Sequence, residues 1–221
     1  MSEYDPSIAR MLITLMNAQE QEWARVSRLL HDEVGQILSA VGLQLDVLRM
    51  DYKDQVSDVE QRTSEIQKLL ERAISHVREL SYELNPAIVE KAGFQFALER
   101  LIGRYRKKFP GTIRLMMDLA ERLPHKIAQA LYRIADQGVA NAVAHAQTSQ
   151  IEVLVKPSQR GVILELKDQG VGFPVEEVRG KSRGLGLLLM EHYASEAGIQ
   201  LTFSSSPGSG TTVRAAWLPR G

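Results

Sequence analysis

The sequence predicts an α+β protein in which a helical hairpin precedes an α/β domain. From about residue 8 to residue 85 the apolar residues recur every three or four positions, which is typical of amphipathic helices. Beyond about residue 94, short apolar runs alternate with turns rich in glycine and proline, a pattern that predicts strands interleaved with helices. The segment LNPAIVEKAG (84–93) separates the two patterns.

Composition excludes several classes of protein. The 221 residues are 44% hydrophobic, which is enough for one large domain or two small ones. The formal net charge is zero, so the chain lacks the basic footprint of a nucleic-acid-binding protein. It has no cysteine, and its longest apolar runs fall short of the roughly 20 residues of a membrane span. With no signal peptide evident at the N-terminus, we expect a cytoplasmic protein that does not itself span the membrane.

The helical half carries two apolar stripes, separated by a polar segment at 50–58. We interpret this segment as the turn of a hairpin, with continuation of a helix through part of it as the alternative. The stripes consist of Val26, Leu30, Val34, Ile37, Val41, Leu45 and Leu48, and of Ile66, Leu70, Ile74, Val77, Leu80 and Leu84. A two-helix hairpin cannot bury such stripes alone. The usual solution is a four-helix bundle made with a second copy, so we expect a homodimer. Packing of the stripes against the second half of the same chain is the alternative.

The second half is predicted to hold three helices and five strands, with the helices on one face of a mixed sheet. The predicted helices are Phe94–Lys108, Pro124–His145 and a helix that starts at Leu185 and reaches at least Glu191. The predicted strands are Ile113–Met117, 151–155, 162–166, 199–205 and 211–218.

Three stretches of this half carry residues suited to binding a ligand. Arg133, Gln137, Asn141 and His145 are spaced by four, so they form one stripe along their helix. In KDQGVGFP, Asp168 stands at a strand end and is followed by Gly170 and Gly172, which let the backbone approach a ligand. In KSRGLGLLLMEH two basic residues and two glycines, Lys181, Arg183, Gly184 and Gly186, precede or open a helix. A helix N-terminus with added positive charge favours an anion.

The order of these motifs resembles the ATP-binding domain of the gyrase/Hsp90/histidine-kinase superfamily, the GHKL or Bergerat fold. YRIADQGVANAVAHA is similar to the N box, DQGVG to the first glycine box, RGLGL to the second, and GSGTTVRAAWLP to the closing strand. The resemblance covers residues 94–218 and implies an α/β sandwich that binds ATP.

The first half resembles the phosphoacceptor region of sensor histidine kinases. EWARVSRLLHDEVGQ and ELSYELNPAIVEKAGFQFALERL are similar to segments of the subfamily that includes the nitrate/nitrite sensors and the DesK thermosensor. With this resemblance the chain divides into a signalling-helix segment (1–20), a dimerisation and histidine phosphotransfer domain (21–90) and an ATP-binding catalytic domain (91–221).

The resemblance implies a role for each residue of the H-D-x-x-x-Q motif. His31 is the phosphoacceptor, and neutral imidazole is a good nitrogen nucleophile near neutral pH. Asp32 is the base, placed to hydrogen-bond the second ring nitrogen. Gly35, four residues after His31, lies one helical turn on and leaves room beside the ring. Gln36 positions a water against a phospho-aspartate of the partner, a phosphatase role whose alternative is that of an ordinary surface amide.

The resemblance also implies how ATP and Mg²⁺ are held. Asn141 is the Mg²⁺ ligand, and Asp168 accepts a hydrogen bond from the adenine amino group. Gly170 and Gly172 form the floor of the pocket, Gly184 and Gly186 let a lid segment close over the phosphates, and Thr211 supports the adenine contact. Lys181 and Arg183 add positive charge near the phosphates. Mg²⁺ suits this site because it keeps several waters and needs few protein oxygens.

One residue departs from the family pattern. The N box normally carries a glutamate where this chain has Gln137, and an amide cannot usefully accept a proton. Asp136 lies about 100° around the helix from that position and is a poor substitute. We therefore expect Gln137 to weaken the kinase activity, with Asp32 serving as the base.

These features predict a two-component histidine kinase with ATP and Mg²⁺ as cofactors. It should autophosphorylate on His31, transfer the phosphoryl group to a response regulator, suspected from the subfamily to have LuxR-type output, and dephosphorylate that regulator. Input would come from a trimmed sensor domain or a separate sensor protein. The alternatives are a weakened or inactive kinase that keeps its phosphatase function, and a nucleotide-binding regulatory or scaffold module. A serine kinase of the anti-sigma type would lack the hairpin with His31.

Overall fold

The computed structural model describes residues 6–52, 59–84, 88–119, 123–159, 161–175 and 184–219. Two compact units are present, one of residues 14–87 and one built on residues 88–221. The first is helical and the second contains a mixed sheet with helices, so the predicted α+β class is confirmed. None of the helices described is long and apolar enough to cross a membrane.

The first unit is a helical hairpin. Helix α1 (Pro6–Leu29) runs into a π-helical turn (Leu30–Val34) and then into α2 (Gly35–Tyr52). Residues on both sides of the π turn have α-helical backbone angles, so the three segments form one continuous helix. Helix α3 (Val59–Leu84) returns alongside it. The segment interpreted as the turn, 50–58, is helical up to Tyr52, and residues 53–58 lie outside the described chain.

The hairpin exposes much of its apolar surface in a single chain. Large apolar side chains that are exposed on the hairpin helices include Leu29, Val34, Ile37, Val41, Leu43, Val47, Leu48, Met50, Ile66, Leu69 and Leu80. Several of them belong to the two stripes seen in the sequence. Among the described residues of the hairpin the buried side chains are polar, namely Ser27, Thr63 and Ser81. The hairpin therefore lacks an apolar core of its own in the described residues.

The second unit is a five-stranded sheet with helices. Its elements are α4 (Ile88–Ala92), α5 (Phe94–Arg106), β1 (Thr112–Met117), α6 (His125–His145), β2 (Gln150–Ser158), β3 (Gly161–Asp168), α7 (Leu185–Ala197), β4 (Gln200–Ser205) and β5 (Thr211–Trp217). The strand order is β1-β2-β3-β5-β4, with β1 parallel to β2 and the other pairs antiparallel. The predicted mixed sheet is confirmed, and β2 and β3 are longer than their apolar runs indicated.

Alternation along the strands gives the sheet one apolar face. On β3 the side chains of Val162, Leu164 and Leu166 are buried, and Asp168 follows in the same alternation at the strand end. The central helix α6 packs on this face, and its Gly138 allows the close approach, because a Cβ there would lie 3.2 Å from Leu166. The core thus fixes α6 above the end of β3.

Proline and glycine residues mark where the helices α6 and α7 begin and end. Pro124 precedes the first turn of α6, where its missing N–H costs no hydrogen bond. Helix α7 extends past the predicted Glu191 to Ala197 and ends at Gly198, which takes the left-handed conformation with φ 66°. Gly184 precedes the first residue of α7, so the second glycine box forms the N-terminal end of that helix.

Candidate functional site

His31 lies inside the π turn and is hydrogen-bonded to its neighbour. Its Nδ1 is 2.9 Å from Oδ1 of Asp32, and both side chains are about half exposed, at 48% and 58%. When Nδ1 carries the proton and donates it to the carboxylate, the other ring nitrogen, Nε2, keeps its lone pair. In that tautomer the exposed ring presents Nε2 with its lone pair available for attack.

The π turn changes the relation between His31 and the residues that follow it. The backbone N–H of Gly35 donates to the carbonyl of Leu30, five residues earlier, where an α-helix would use the carbonyl of His31. The expectation that Gly35 lies one turn beyond His31 was made for an unbroken α-helix, and in the wider turn it stays a prediction. Gln36, the residue after Gly35, is exposed.

Asp168 is the last residue of β3 and is 93% buried, with 7% of its surface exposed. Its Oδ1 accepts hydrogen bonds from the backbone N–H of Gly170, at 2.9 Å, and of Thr211, at 3.2 Å. Thr211 is the residue paired with Asp168 across β3 and β5. Within the described part of the chain Oδ2 has no hydrogen-bond partner. The second oxygen of a carboxylate held in this way can accept a hydrogen bond from a ligand.

The glycines after Asp168 are required by close contacts of the backbone. A Cβ on Gly170 would overlap the carbonyl of Ala146 at the end of α6, and a Cβ on Gly172, whose φ is 59°, would overlap the carbonyl of Ser206. The N–H of Val171 donates to the same Ala146 carbonyl at 2.8 Å. The first glycine box is thus held between α6 and the β4–β5 hairpin.

Ser205 is a site residue that the sequence did not reveal. Its hydroxyl donates to the carbonyl of Gly210 at 2.8 Å, accepts from the N–H of Phe173 at 2.9 Å and lies 3.1 Å from the Thr211 hydroxyl. It therefore ties the loop after Asp168 to the turn before β5. A serine in a strand carries no distinctive sequence signal, so only the fold identifies it.

The N box and the second glycine box meet at Gly186. Nε2 of Gln137 donates to Oδ1 of Asn141 at 3.2 Å, in agreement with the predicted stripe along α6. A Cβ on Gly186 would lie 2.7 Å from each of these two atoms. The first turn of α7 therefore packs directly on both amide side chains, and a side chain at position 186 would displace them.

Asp136 faces away from this cluster. Its Oδ1 is 2.9 Å from Nη2 of Arg104 and accepts a hydrogen bond from the Tyr105 hydroxyl at 2.8 Å. Burial and the neighbouring Asp136 carboxylate raise the pKa of Tyr105, and the same two causes raise the pKa of Tyr132 to about 12. The acid beside Gln137 is engaged with α5, which explains why it cannot replace a carboxylate at position 137.

The remaining predicted residues fall into two sets. Gly184 lies in open surroundings, since a Cβ there would meet nothing within 4 Å. Lys181 and Arg183 lie outside the described residues. Asn141, which belongs to the amide cluster, and Ala146, which holds the first glycine box, are five residues apart. That separation corresponds to about 7.5 Å along the axis of α6. Both therefore lie near the C-terminal half of one helix.

Two protein-family models match consecutive parts of the chain. Residues 22–88 match "Histidine kinase" (HisKA_3), and residues 126–221 match "Histidine kinase-, DNA gyrase B-, and HSP90-like ATPase" (HATPase_c). The chain therefore belongs to the histidine kinases, with an ATP-binding domain of the HATPase_c type.

Known proteins agree with this assignment. Oxygen sensor histidine kinase NreB of Staphylococcus carnosus (strain TM300) is 29% identical over 208 residues, which are 92% of this chain and 58% of that protein. The chain thus spans about three fifths of that relative. The two matched domains are those of a histidine kinase catalytic core, and the chain is similar to this sensor kinase across both of them.

The solved structures agree on the fold. The histidine kinase domain of the Erythrobacter litoralis EL346 blue-light activated histidine kinase has a TM-score of 0.51 at 16% identity. The match covers 78% of this chain and 94% of that one. The larger EL346 kinase structure also has a TM-score of 0.51, at 14% identity, with 80% of this chain and 58% of that one covered.

Proposed function

We propose that this protein autophosphorylates on His31 with ATP, transfers the phosphoryl group to an aspartate of a response regulator, and dephosphorylates that regulator. The hydrogen bond between His31 Nδ1 and Asp32 is the observation that carries the proposal. It leaves Nε2 as the nucleophile on an exposed side chain. The functional division at residues 20 and 90 is part of the same proposal.

The chemical step needs little from the protein besides positioning. Nε2 attacks the γ-phosphorus, the bond from that phosphorus to the β,γ-bridging oxygen breaks, and the electron pair leaves with ADP. The imidazole gains positive charge as the bond forms, and Asp32 stabilises or accepts the Nδ1 proton across its 2.9 Å hydrogen bond. Asp32 thereby supplies the base that Gln137 cannot.

On the nucleotide side, the buried Asp168 recognises the adenine amino group through Oδ2, while its Oδ1 stays bound to the two backbone N–H groups. Asn141 and Gln137 offer amide oxygens, the hard donors that Mg²⁺ accepts, beside the helix end that closes over the phosphates. These residues fit the ion, since Mg²⁺ takes one or two protein oxygens together with substrate phosphates and water. When bound, it would neutralise charge on the phosphates.

Exposure of the apolar stripes supports a homodimer. The hairpin leaves Ile37, Val41, Leu48 and Ile66 exposed at 63%, 43%, 50% and 44%. Four helices from two copies would cover these side chains. The regulator, suspected to have LuxR-type output, would approach the exposed Gln36, and a separate sensor protein or a further domain would supply the input.

Labelled ATP tests the proposal. The wild-type protein should acquire acid-labile, base-stable label, and His31→Gln should acquire none while still binding nucleotide. Asp32→Asn should slow labelling by up to about 10²- to 10⁴-fold, the usual contribution of a general base. Glu33→Gln is the matched control, because Glu33 is the adjacent exposed acid and should label normally.

Label that persists in His31→Gln would contradict the assignment. A protein that binds ATP but takes up no label under any condition would instead be a nucleotide-binding regulatory module or a phosphatase that has lost its kinase reaction.

A further inference from the structure

Arg133 begins the polar stripe of α6 and links that helix to α7. Its guanidinium carbon lies 5.2 Å from the centroid of the Tyr193 ring, within the distance of a cation–π contact. Both side chains are partly buried, and burial lowers the pKa of Arg133 and raises the pKa of Tyr193. A cation–π contact becomes stronger as the cation loses water. The stack is therefore a specific link between the two helices.

Helix α7 contacts the polar stripe of α6 at two points. Gly186, in its first turn, packs on the amides of Gln137 and Asn141, and Tyr193, about two turns later, packs on Arg133. The two helices are thus antiparallel. The rise from Gly186 to Tyr193 is about 10.5 Å, and the rise from the middle of the amide pair back to Arg133 is about 9 Å. Both contacts therefore agree with one axial position of α7 on α6.

The stack and Gly186 restrain α7 in a way that its apolar contacts do not. The side chains of α7 that are buried between the two contact points or beside them are Leu189, Met190 and Ala194. Apolar burial is non-directional, so on its own it tolerates a small shift of a helix along its axis. A planar guanidinium stacked on a ring depends on the relative position of the two groups. The stack therefore determines where the first turn of α7 lies relative to the amides.

We propose that Arg133 and Tyr193 are positioning residues for the triphosphate of ATP, because their stack holds the first turn of α7 against the amides of the N box. The N–H groups in the first turn of a helix have no acceptors within the helix and favour anions such as phosphates. The adenine end of the site does not involve the stack, since Asp168 is held by the N–H groups of Gly170 and Thr211. The inference rests on the proposed function and deepens it.

Calorimetric titration with ATP and with adenosine tests the inference. Tyr193→Leu removes the ring and Arg133→Gln removes the cation, and each should lower ATP affinity by about fivefold to thirtyfold, the loss expected for a partly buried cation–π contact. Adenosine, which has no phosphates, should bind each variant as it binds the wild type. Tyr193→Phe keeps the ring and should bind ATP within about threefold of the wild type. The matched control is Glu196→Gln, an exposed change on the same helix, which should bind both ligands normally.

The double variant distinguishes positioning from general damage to the domain. Arg133→Gln combined with Tyr193→Leu should lose no more ATP affinity than the weaker-binding single variant, since the two side chains form one contact. Additive losses in the double variant, or unchanged ATP affinity in both single variants, would overturn the inference. Equal losses of ATP and adenosine affinity would overturn it as well. The readout is binding, so an absence of label on His31 in a protein that binds ATP would contradict the proposed function instead.

Discussion

Replacing Asp168 with asparagine tests the nucleotide site with little change of shape. The amide oxygen can still accept the N–H groups of Gly170 and Thr211, which lie 2.9 and 3.2 Å from Oδ1. At the Oδ2 position, however, an NH₂ group would face the adenine amino group, and two donors cannot bond each other. A hydrogen bond to a charged group is worth about 1.5–3 kcal/mol, so ATP affinity should fall by about 10- to 150-fold.

Calorimetric titration with ATP measures this loss directly. The matched control is Glu165→Gln, which makes the same change of group on the same strand but on the opposite face of the sheet, and it should bind ATP as the wild type does. Circular dichroism would establish that both variants are folded. An Asp168→Asn protein with unchanged ATP affinity would refute the assignment of this carboxylate to adenine.

Three further predictions concern Gln137, Gln36 and the glycines of the two glycine boxes. Gln137→Glu restores the acid of the family pattern and should raise the initial rate of autophosphorylation by less than about 100-fold, since we propose that Asp32 serves as the base; an unchanged or lower rate would show that the site is built around glutamine. Its counterpart Gln36→Ala should spare that rate and slow regulator dephosphorylation, and equal effects on both reactions would contradict the division of roles. Gly170→Ala should lower the free energy of unfolding by at least about 1 kcal/mol in urea, because its Cβ overlaps the Ala146 carbonyl, whereas Gly184→Ala has open space and should be nearly neutral. Equal free energies of unfolding for the Gly170→Ala and Gly184→Ala proteins would mean that the loop at residue 170 shifts to make room for the new Cβ.

Much of the fold could be predicted because it follows from periodicity. Alternation along β3 predicts both its buried face and the position of Asp168 at the strand end, since side chains of a strand alternate between faces. The spacing of four between Gln137 and Asn141 predicts their shared face, and the structure shows them in contact. Both patterns depend on local geometry, which the sequence determines directly.

Other features depend on contacts between residues far apart in the chain, which the hydrophobic periodicity of the sequence does not predict. The π turn at His31 could not be predicted, because the apolar stripe passes through residues 26–48 as if the helix were unbroken. Asp136 contacts Arg104 and Tyr105, which lie about 30 residues earlier on another helix. These contacts therefore depend on tertiary packing. The glycines of the first glycine box were interpreted as room for a ligand, and the structure shows that neighbouring carbonyls already require them.

The position of the phosphoryl group on the protein shows which histidine, and which of its ring nitrogens, reacts with ATP. The hydrogen bond from Nδ1 to Asp32 leaves Nε2 of His31 as the proposed nucleophile, so we predict a single phosphohistidine, at residue 31, bonded through Nε2. Peptide mapping by mass spectrometry under basic conditions identifies the residue, and phosphorus NMR of the phosphorylated protein distinguishes the two ring nitrogens. Phosphate on Nδ1 of His31, or on His76, His125, His145 or His192, would contradict the account.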